Sequence, residues 1–288
     1  QTHMNADRIP QRKDSNKAMM VISIDSDFQR KLAEGGSAAI QVIIDGRNTM
    51  TAAVALGYIN DIIGDFKAER NGNEQLINIE TRAWYNPNLI TRWSFLPGMI
   101  AALSLIQILM LAGLSDARER EQGTFDQLLV TPLSSTEILI GKAVPPLLIG
   151  MMQVTFIMIL CVFWFKIPLY GSLLTLYLTV FIFMLSCIGI GLSISAVSTS
   201  MQQVMVYTFV LMMPMVLLSG LATPIRNMPE ILQIATYANP LRFGVDAIRR
   251  VYLEGSTLAQ VAHNFIPMTA VAAVTLPLAV RLFRNKLT

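Results

Sequence analysis

Charged residues are scarce in this chain. Asp, Glu, Lys and Arg make up 14% of its 288 residues, whereas soluble globular domains carry about 25%. Hydrophobic residues account for 53%, and this balance is typical of a membrane protein. The formal net charge is only +3 and no long run of lysine or arginine is present, which excludes a basic nucleic-acid-binding tail.

Residues that bind metals or carry out covalent chemistry are also few. The two cysteines, Cys161 and Cys187, lie inside apolar runs, and we expect both to be buried free thiols. The two histidines, His3 and His263, are far apart in the sequence and have no metal-ligand spacing. No Ser-His-Asp, Cys-His or zinc pattern is present, so the sequence predicts neither a catalytic centre nor a metal site.

A nucleotide-binding loop is missing as well. The nearest approach to one is Gly141-Lys142, but Ala143 stands where serine or threonine is required and Thr136 stands where the first glycine belongs. We therefore expect no cofactor in this chain. If ATP drives the protein, ATP and Mg bind to a partner subunit.

The apolar residues are gathered in runs long enough to be membrane spans. A helix rises about 1.5 Å per residue, and the hydrocarbon core of a bilayer is about 30 Å thick. The sequence thus predicts an α-helical polytopic membrane domain over residues 94–288, with five visible transmembrane helices. The predicted spans are Phe95–Leu114, Ala143–Phe165, Ser172–Val197, Val204–Leu221 and Phe265–Val280.

Residues 1–93 hold much of the charge and alternate between strand-like and helix-like patterns. Short runs rich in Val and Ile, and one run of alternating apolar and polar residues, indicate strands. An N-terminal α/β domain is therefore predicted. Its strands are expected at Met19–Ile24, Ala39–Ile44 and Ile77–Tyr85, and its helices at Asp27–Glu34 and Thr49–Arg70.

Positive charge after the last span orients the chain. Arg281, Arg284 and Lys286 follow that span without an acid, which places the C-terminus in the cytoplasm. Counting back puts segment 116–142 inside, and the opposite orientation stays open as the alternative.

The same count puts residues 1–93 and the connection 223–264 outside. An extracytoplasmic N-terminal domain needs a translocation signal, and no signal peptide is visible. We therefore expect a further transmembrane helix before residue 1, giving six in the parent protein.

Segment 116–142 connects the first two predicted spans, and it is longer and more highly charged than a simple turn would need to be. Alternating Arg and Glu come first, and apolar residues at helical spacing follow, as in an interfacial amphipathic helix. Pro132 ends this pattern, and Ser134 with Glu137 forms a capping box for the next helix. A solvated linker is the alternative interpretation.

The segment resembles the hallmark of type-2 ATP-binding-cassette exporter permeases, in which it includes the coupling helix that docks in a cleft of a cytoplasmic ATPase subunit. The pattern E-x-E-x-G-T-x-x-x-L-x-x-x-P-x-x-x-x-E-I-x-x-x-K is filled by Glu119, Glu121, Gly123, Thr124, Leu128, Pro132, Glu137, Ile138 and Lys142. Weaker marks are Asn86-Pro87, Pro97-Gly98, Gly220-Leu221, Pro224, Met228-Pro229, Asn239-Pro240 and Arg249.

The resemblance implies the membrane subunit of an exporter of amphiphiles or drugs, in a bacterial inner membrane. Its partners would be cytoplasmic ATP-binding subunits, a second permease copy or paralogue, and a periplasmic adaptor that contacts residues 1–93. Connection 223–264 would form re-entrant helices. The residues implied in ATPase coupling are Arg118, Glu119, Arg120, Glu121, Gly123, Thr124, Phe125, Leu128 and Pro132.

Asn239, Pro240 and Arg242 are candidates for an outer gate, with a plain helix–loop–helix as the alternative. Two other functions also stay open. An ion-coupled secondary transporter usually carries ionisable residues within its spans, and the five predicted spans have none. A membrane-anchored binding or sensor protein would need only one anchor.

Overall fold

The computed structural model describes residues 20–24, 26–33, 38–45, 49–69, 77–84, 91–124, 134–223, 225 and 228–287. The chain divides into two compact units, one ending at Ser94 and the other beginning at Phe95.

The first unit contains a three-stranded sheet in the order β1-β2-β3. Strand β1 (Met20–Ile24) pairs antiparallel with β2 (Ala38–Asp45), and β2 pairs parallel with β3 (Ile77–Trp84). Helix α1 (Phe28–Ala33) lies between β1 and β2 in the chain, and α2 (Thr49–Glu69) lies between β2 and β3. Parallel neighbours require a crossover of this kind.

Helix α2 has several apolar side chains, and only some of them are buried. Ile59 and Ile63 are buried, together with Ile40 and Val42 of β2, whereas Phe66 is 41% exposed. Among the α2 side chains that the structure describes, the buried ones lie in its middle turns.

The second unit is helical. In chain order its helices are α3 (Thr91–Glu121, which starts in the first unit), α4 (Ser135–Ile159), α5 (Leu173–Val197), α6 (Met201–Leu217), α7 (Glu230–Ala235), α8 (Pro240–Arg249) and α9 (Leu258–Leu287). A π-helical turn, Leu160–Trp164, extends α4, and another, Arg250–Glu254, extends α8.

Four helices in the described part of the chain are long and apolar enough to cross a membrane. They are Phe95–Glu121, Ser135–Trp164, Leu173–Val197 and Leu258–Asn285, so the fold is that of a polytopic helical membrane protein. The last one continues through Pro267 and Pro277 and is much longer than the predicted span.

The predicted count of five spans is not supported. The fourth predicted span, Val204–Leu221, falls on α6, which has 17 residues. Such a helix is about 26 Å long, less than the thickness of the hydrocarbon core. Hydropathy stays high as far as Leu221, but the chain turns at Gly220, whose φ of 80° is a conformation that favours glycine.

Helix α5 lies at the centre of the second unit. It packs most extensively against α9 and also contacts α4, α6 and α8. At Gly189 a Cβ atom would come within 2.8 Å of the Leu276 backbone nitrogen on α9, so glycine permits a close approach of the two helices. Cys187 on α5 and Cys161 are buried free thiols, which confirms that prediction.

Helix α8 and its π-helical turn form one continuous segment over residues 240–254. The loop after α4 packs against the end of this segment. Tyr170 donates its backbone N–H to the Tyr252 carbonyl at 3.0 Å, and the Tyr252 hydroxyl donates to the Ile167 carbonyl at 3.2 Å.

The charged end of helix α3 as a candidate coupling site

Helix α3 ends in a Schellman motif. Gly123 has a φ of 70° and donates its backbone N–H to the Arg120 carbonyl at 3.1 Å, while Thr124 N–H donates to the Glu119 carbonyl at 2.9 Å. These two bonds satisfy carbonyls that a helix end otherwise leaves unpaired. The Gly-Thr pair of the sequence pattern therefore ends α3.

A buried ion-pair cluster joins α3 to α4. Lys142 Nζ, near the start of α4, contacts Asp116 Oδ1 and lies 2.6 Å from Glu119 Oε2. Asp116 is wholly buried, and its Oδ2 has no hydrogen-bond partner among the described residues. Asp116 and Lys142 are the first and last residues of segment 116–142, so this cluster ties the two ends of the segment together.

The cluster also lies close to α9. Lys142 Nζ is 5.4 Å from the centroid of the Phe283 ring, within the range of a cation–π interaction. Phe283 is buried, so the base of the segment contacts a third helix.

The last two charged residues of α3 contact the joint between α5 and α6. Arg120 donates from a guanidinium nitrogen to the Ser198 carbonyl at 3.1 Å. Glu121 Oε1 accepts from the backbone N–H of Met201 at 2.7 Å. One turn earlier, the backbone N–H of Asp116 donates to Ser195 Oγ at 3.1 Å.

Internal partners thus occupy three of the residues predicted to face an ATPase, namely Glu119, Arg120 and Glu121. Arg118 is exposed. Gly123 and Thr124 form the helix end described above, and Phe125, Leu128 and Pro132 lie outside the described residues.

The predicted capping box at the start of α4 is confirmed. Ser134 is the N-cap, and its Oγ accepts from the Glu137 backbone N–H at 3.3 Å. Glu137 in return accepts from the Ser134 backbone N–H at 2.8 Å. These two hydrogen bonds satisfy backbone N–H groups at the start of α4 and so stabilise its first turn.

Asn239, one of the three residues predicted at the outer gate, connects two helices. Asn239 Oδ1 accepts from the Leu241 backbone N–H at 3.0 Å and so caps α8, while its Nδ2 donates to the Met215 carbonyl of α6 at 2.7 Å. Pro240 is the first residue of α8 and is buried, where proline costs no hydrogen bond.

Arg242 joins α8 to the turn after α7. Its guanidinium donates to Thr236 Oγ1 and, at 3.4 Å, to the Gln233 carbonyl. It also lies 4.1 Å from the centroid of the Tyr237 ring. The helix–loop–helix of the alternative interpretation is therefore present in the structure, and a gating role of these residues stays a prediction.

Arg249 occupies a tight junction between α8, α3 and the end of α6. Its guanidinium donates to the Gly220 carbonyl at 3.4 Å, and a Cβ at Gly98 would lie 3.2 Å from its Nε. Burial lowers the pKa of Arg249 to about 10, and the neighbouring Asp246 opposes that shift. The side chain therefore stays charged at neutral pH.

Sequence reasoning missed how the charges of the segment pair. Asp116 follows one apolar run and Lys142 precedes the next, so opposite charges mark the two ends of the segment. That arrangement could have indicated an ion pair. The contacts with Ser198 and Met201 had no comparable indication, because they involve backbone atoms about 80 residues away along the chain.

Over residues 11–281 the chain matches the family model described as "ABC-2 family transporter protein". It is 39% identical over 279 residues to "Probable multidrug ABC transporter permease YbhR" of Escherichia coli K12, an alignment that covers 95% of this chain and 75% of that protein. It is 32% identical over 264 residues to "Probable multidrug ABC transporter permease YbhS" of the same strain, covering 90% and 70%. It is 28% identical over 290 residues to "Inner membrane transport permease YhhJ" of that strain, covering 98% and 77%. A family match over most of the chain, with identities this high, shows that the chain belongs to the ABC-2 family of transporter proteins.

Proposed function

We propose that this chain is the permease subunit of an ATP-driven exporter that moves amphiphilic or drug-like molecules out of the cytoplasm or the inner leaflet. Family membership supports transport, and the relatives named as multidrug permeases support this class of substrate. ATP and Mg bind to a partner ATPase subunit in this proposal, and the permease is not itself an enzyme.

The observation that carries the proposal is the construction of segment 116–142. Its ends are tied together by the Lys142 cluster, and α3 stops at a defined turn. A loop held at its base in this way has a fixed position from which it can bind another protein, because less flexibility is lost on binding.

The exposed side of the segment supplies the docking contacts in this proposal. Arg118 offers a charge to a complementary surface, and charges of this kind set docking orientation and association rate. The three residues with internal partners, Glu119, Arg120 and Glu121, hold the segment against α4 and the joint between α5 and α6. Phe125, Leu128 and Pro132 complete the proposed docking surface.

The remaining assignments follow the proposed orientation. The protein lies in a bacterial inner membrane with its C-terminus in the cytoplasm, and residues 1–93 form a periplasmic α/β domain that meets an adaptor protein. Two permease chains pair, either as identical copies or as paralogues. A relative named as an inner membrane transport permease supports the location.

Substitution of Arg118 tests the docking surface. We expect Arg118→Glu to weaken co-purification of the ATPase subunit with the full chain by about two- to fivefold, because an exposed ion pair contributes roughly 0.2–1 kcal/mol. Binding is measured by titrating the purified permease with the ATPase subunit. Arg281→Glu is the charge-matched control, since Arg281 is also exposed. Equal affinities for the two variants would contradict the assignment.

A further inference from the structure

Two adjacent residues at the end of α3 bind opposite sides of one short joint. The joint, Ser198 to Ser200, connects the C-terminus of α5 to the N-terminus of α6. Arg120 contacts the carbonyl on the α5 side, Ser198 O, and Glu121 contacts the amide on the α6 side, Met201 N.

The charges match the polarity of the two helix ends. The last carbonyls of a helix carry partial negative charge, and the first N–H groups carry partial positive charge. An arginine at the end of α5 and a glutamate at the start of α6 each make a charge-assisted hydrogen bond. Exchanging the two residues would place both charges against helix ends of like sign.

We propose that Arg120 and Glu121 are positioning residues that hold the α5–α6 joint to α3, so that displacement of segment 116–142 moves α6. The proposal rests on the proposed function, because the displacement comes from a docked ATPase. It assigns these two residues to transmission within the permease and leaves docking to the exposed part of the segment.

A continuous set of contacts leads from this joint to the other end of α6. Helix α6 starts at the joint, and near its end the Met215 carbonyl accepts a hydrogen bond from Asn239, the cap of α8. Arg249 of α8 donates to the Gly220 carbonyl just beyond α6. A shift of α6 along its axis therefore reaches α8 and the connection 223–264.

The backbone donor at Met201 can be removed cleanly. Met201 is the first residue of α6, where proline is well tolerated, and Ser200 has a φ of −137° and a ψ of 158°, which suit a residue before proline. Met201→Pro therefore deletes the N–H that Glu121 accepts from and leaves the helix start in place.

The first experiment uses the full-length permease alone. Spin labels are attached at Gln122→Cys and Gln202→Cys, both exposed positions, and the distance between them is measured by electron paramagnetic resonance. We expect Glu121→Ala and Met201→Pro each to broaden the distance distribution. The double variant should be no broader than either single variant, since both remove the same contact. An unchanged distribution would overturn the proposal.

The second experiment measures ATP hydrolysis by the permease bound to its co-purified ATPase subunit. Glu121→Ala and Met201→Pro should each lower permease-dependent hydrolysis by about threefold or more. Both variants remove the same charge-assisted hydrogen bond, and the loss of such a bond is large enough for this effect. Glu121→Gln, which keeps an acceptor, should lower hydrolysis less than Glu121→Ala does, and Arg120→Lys, which keeps a donor, should lower it less than Arg120→Ala. The amount of bound ATPase should stay at the level of the Gln122→Ala control.

Several results would refute the proposed role of Arg120 and Glu121 as positioning residues. Loss of bound ATPase in Glu121→Ala would make Glu121 a docking residue, and multiplied effects in the double variant would mean that Glu121 acts elsewhere. If no ATPase subunit co-purifies with the unaltered chain, the proposed function fails. That outcome is distinct from a failure of the spin-label measurement, which needs no ATPase.

Discussion

Lys142 lies between two carboxylates, and the one on Asp116 is wholly buried. Removing the lysine leaves that carboxylate without its counter-charge, a change that typically costs about 3–5 kcal/mol. We expect Lys142→Met to lower the unfolding temperature of the purified permease markedly. The permease is fused to a fluorescent protein and heated to a series of temperatures. The fraction that remains folded is then measured by size-exclusion chromatography.

The matched control removes a charge of the same sign from the surface. Arg281→Met should leave the unfolding temperature close to that of the parent, because Arg281 is exposed. Combining Lys142→Met with Asp116→Asn should recover much of the lost stability, since the buried group becomes neutral. If Lys142→Met unfolds at the parent temperature, the ion-pair cluster does not stabilise the base of the segment.

Asn239 makes one hydrogen bond to each of two helices, so its substitutions should fall in a definite order. Asn239→Ser keeps an oxygen that caps α8 but loses the bond to the Met215 carbonyl, whereas Asn239→Ala loses both. We expect the unfolding temperature to be highest with asparagine, lower with serine and lowest with alanine. The alanine variant should lose about 1–3 kcal/mol. Equal stability of the serine and alanine variants would show that the cap contributes nothing.

At the scale of whole elements, the contact between α5 and α9 depends on a missing side chain. A Cβ at Gly189 would meet the Leu276 backbone and the Thr275 side chain, and backbone cannot move aside cheaply. We expect Gly189→Ala to destabilise the permease by about 1–3 kcal/mol through this overpacking. The same thermal-shift measurement checks it.

Gly141 on α4 supplies a control in which the same substitution should raise the stability. Nothing lies within 4 Å of a Cβ placed there, so Gly141→Ala should stabilise the helix by about 0.5–1 kcal/mol. A loss of stability in both variants would mean that general helix effects, rather than the close approach of α5 and α9, decide the result.

The elements that local chemistry determines could be predicted from the sequence. Ser134 and Glu137 indicate the start of α4 because the capping box is made by residues three apart. The length of α6 could not be predicted, because its hydrophobic residues continue to Leu221 although the helix ends at Leu217 and Gly220 adopts a positive φ. Apolar composition gives the extent of a run and not the residue at which its helix ends.

The coupling role of segment 116–142 stays a prediction, and its internal contacts could not be predicted from the sequence. The charges of Glu119 and Glu121 indicated a binding surface, and the structure gives both residues partners within the chain. Alternating charges look alike in sequence whether they face another protein or the ends of neighbouring helices. Only the fold brings Ser198 and Met201 to the end of α3.

At the scale of the whole molecule, the proposed function needs two proteins, one that spans the membrane and one that binds ATP. In the part of the chain that the structure describes, the permease has four helices able to cross a membrane and a charged segment whose two ends are joined by an ion pair. The chain's family is that of ABC-2 transporter proteins, and the proposal assigns ATP binding to a partner. In that proposal, energy from ATP reaches the spans only through contact with the partner.

The most direct measurement is purification of the full-length permease from its native membrane, followed by identification of the proteins bound to it and assay of their ATP hydrolysis. We expect an ATPase subunit to co-purify and its hydrolysis per subunit to be higher with the permease than without it. Transport driven by a proton or sodium gradient, with no ATPase subunit bound, would contradict it.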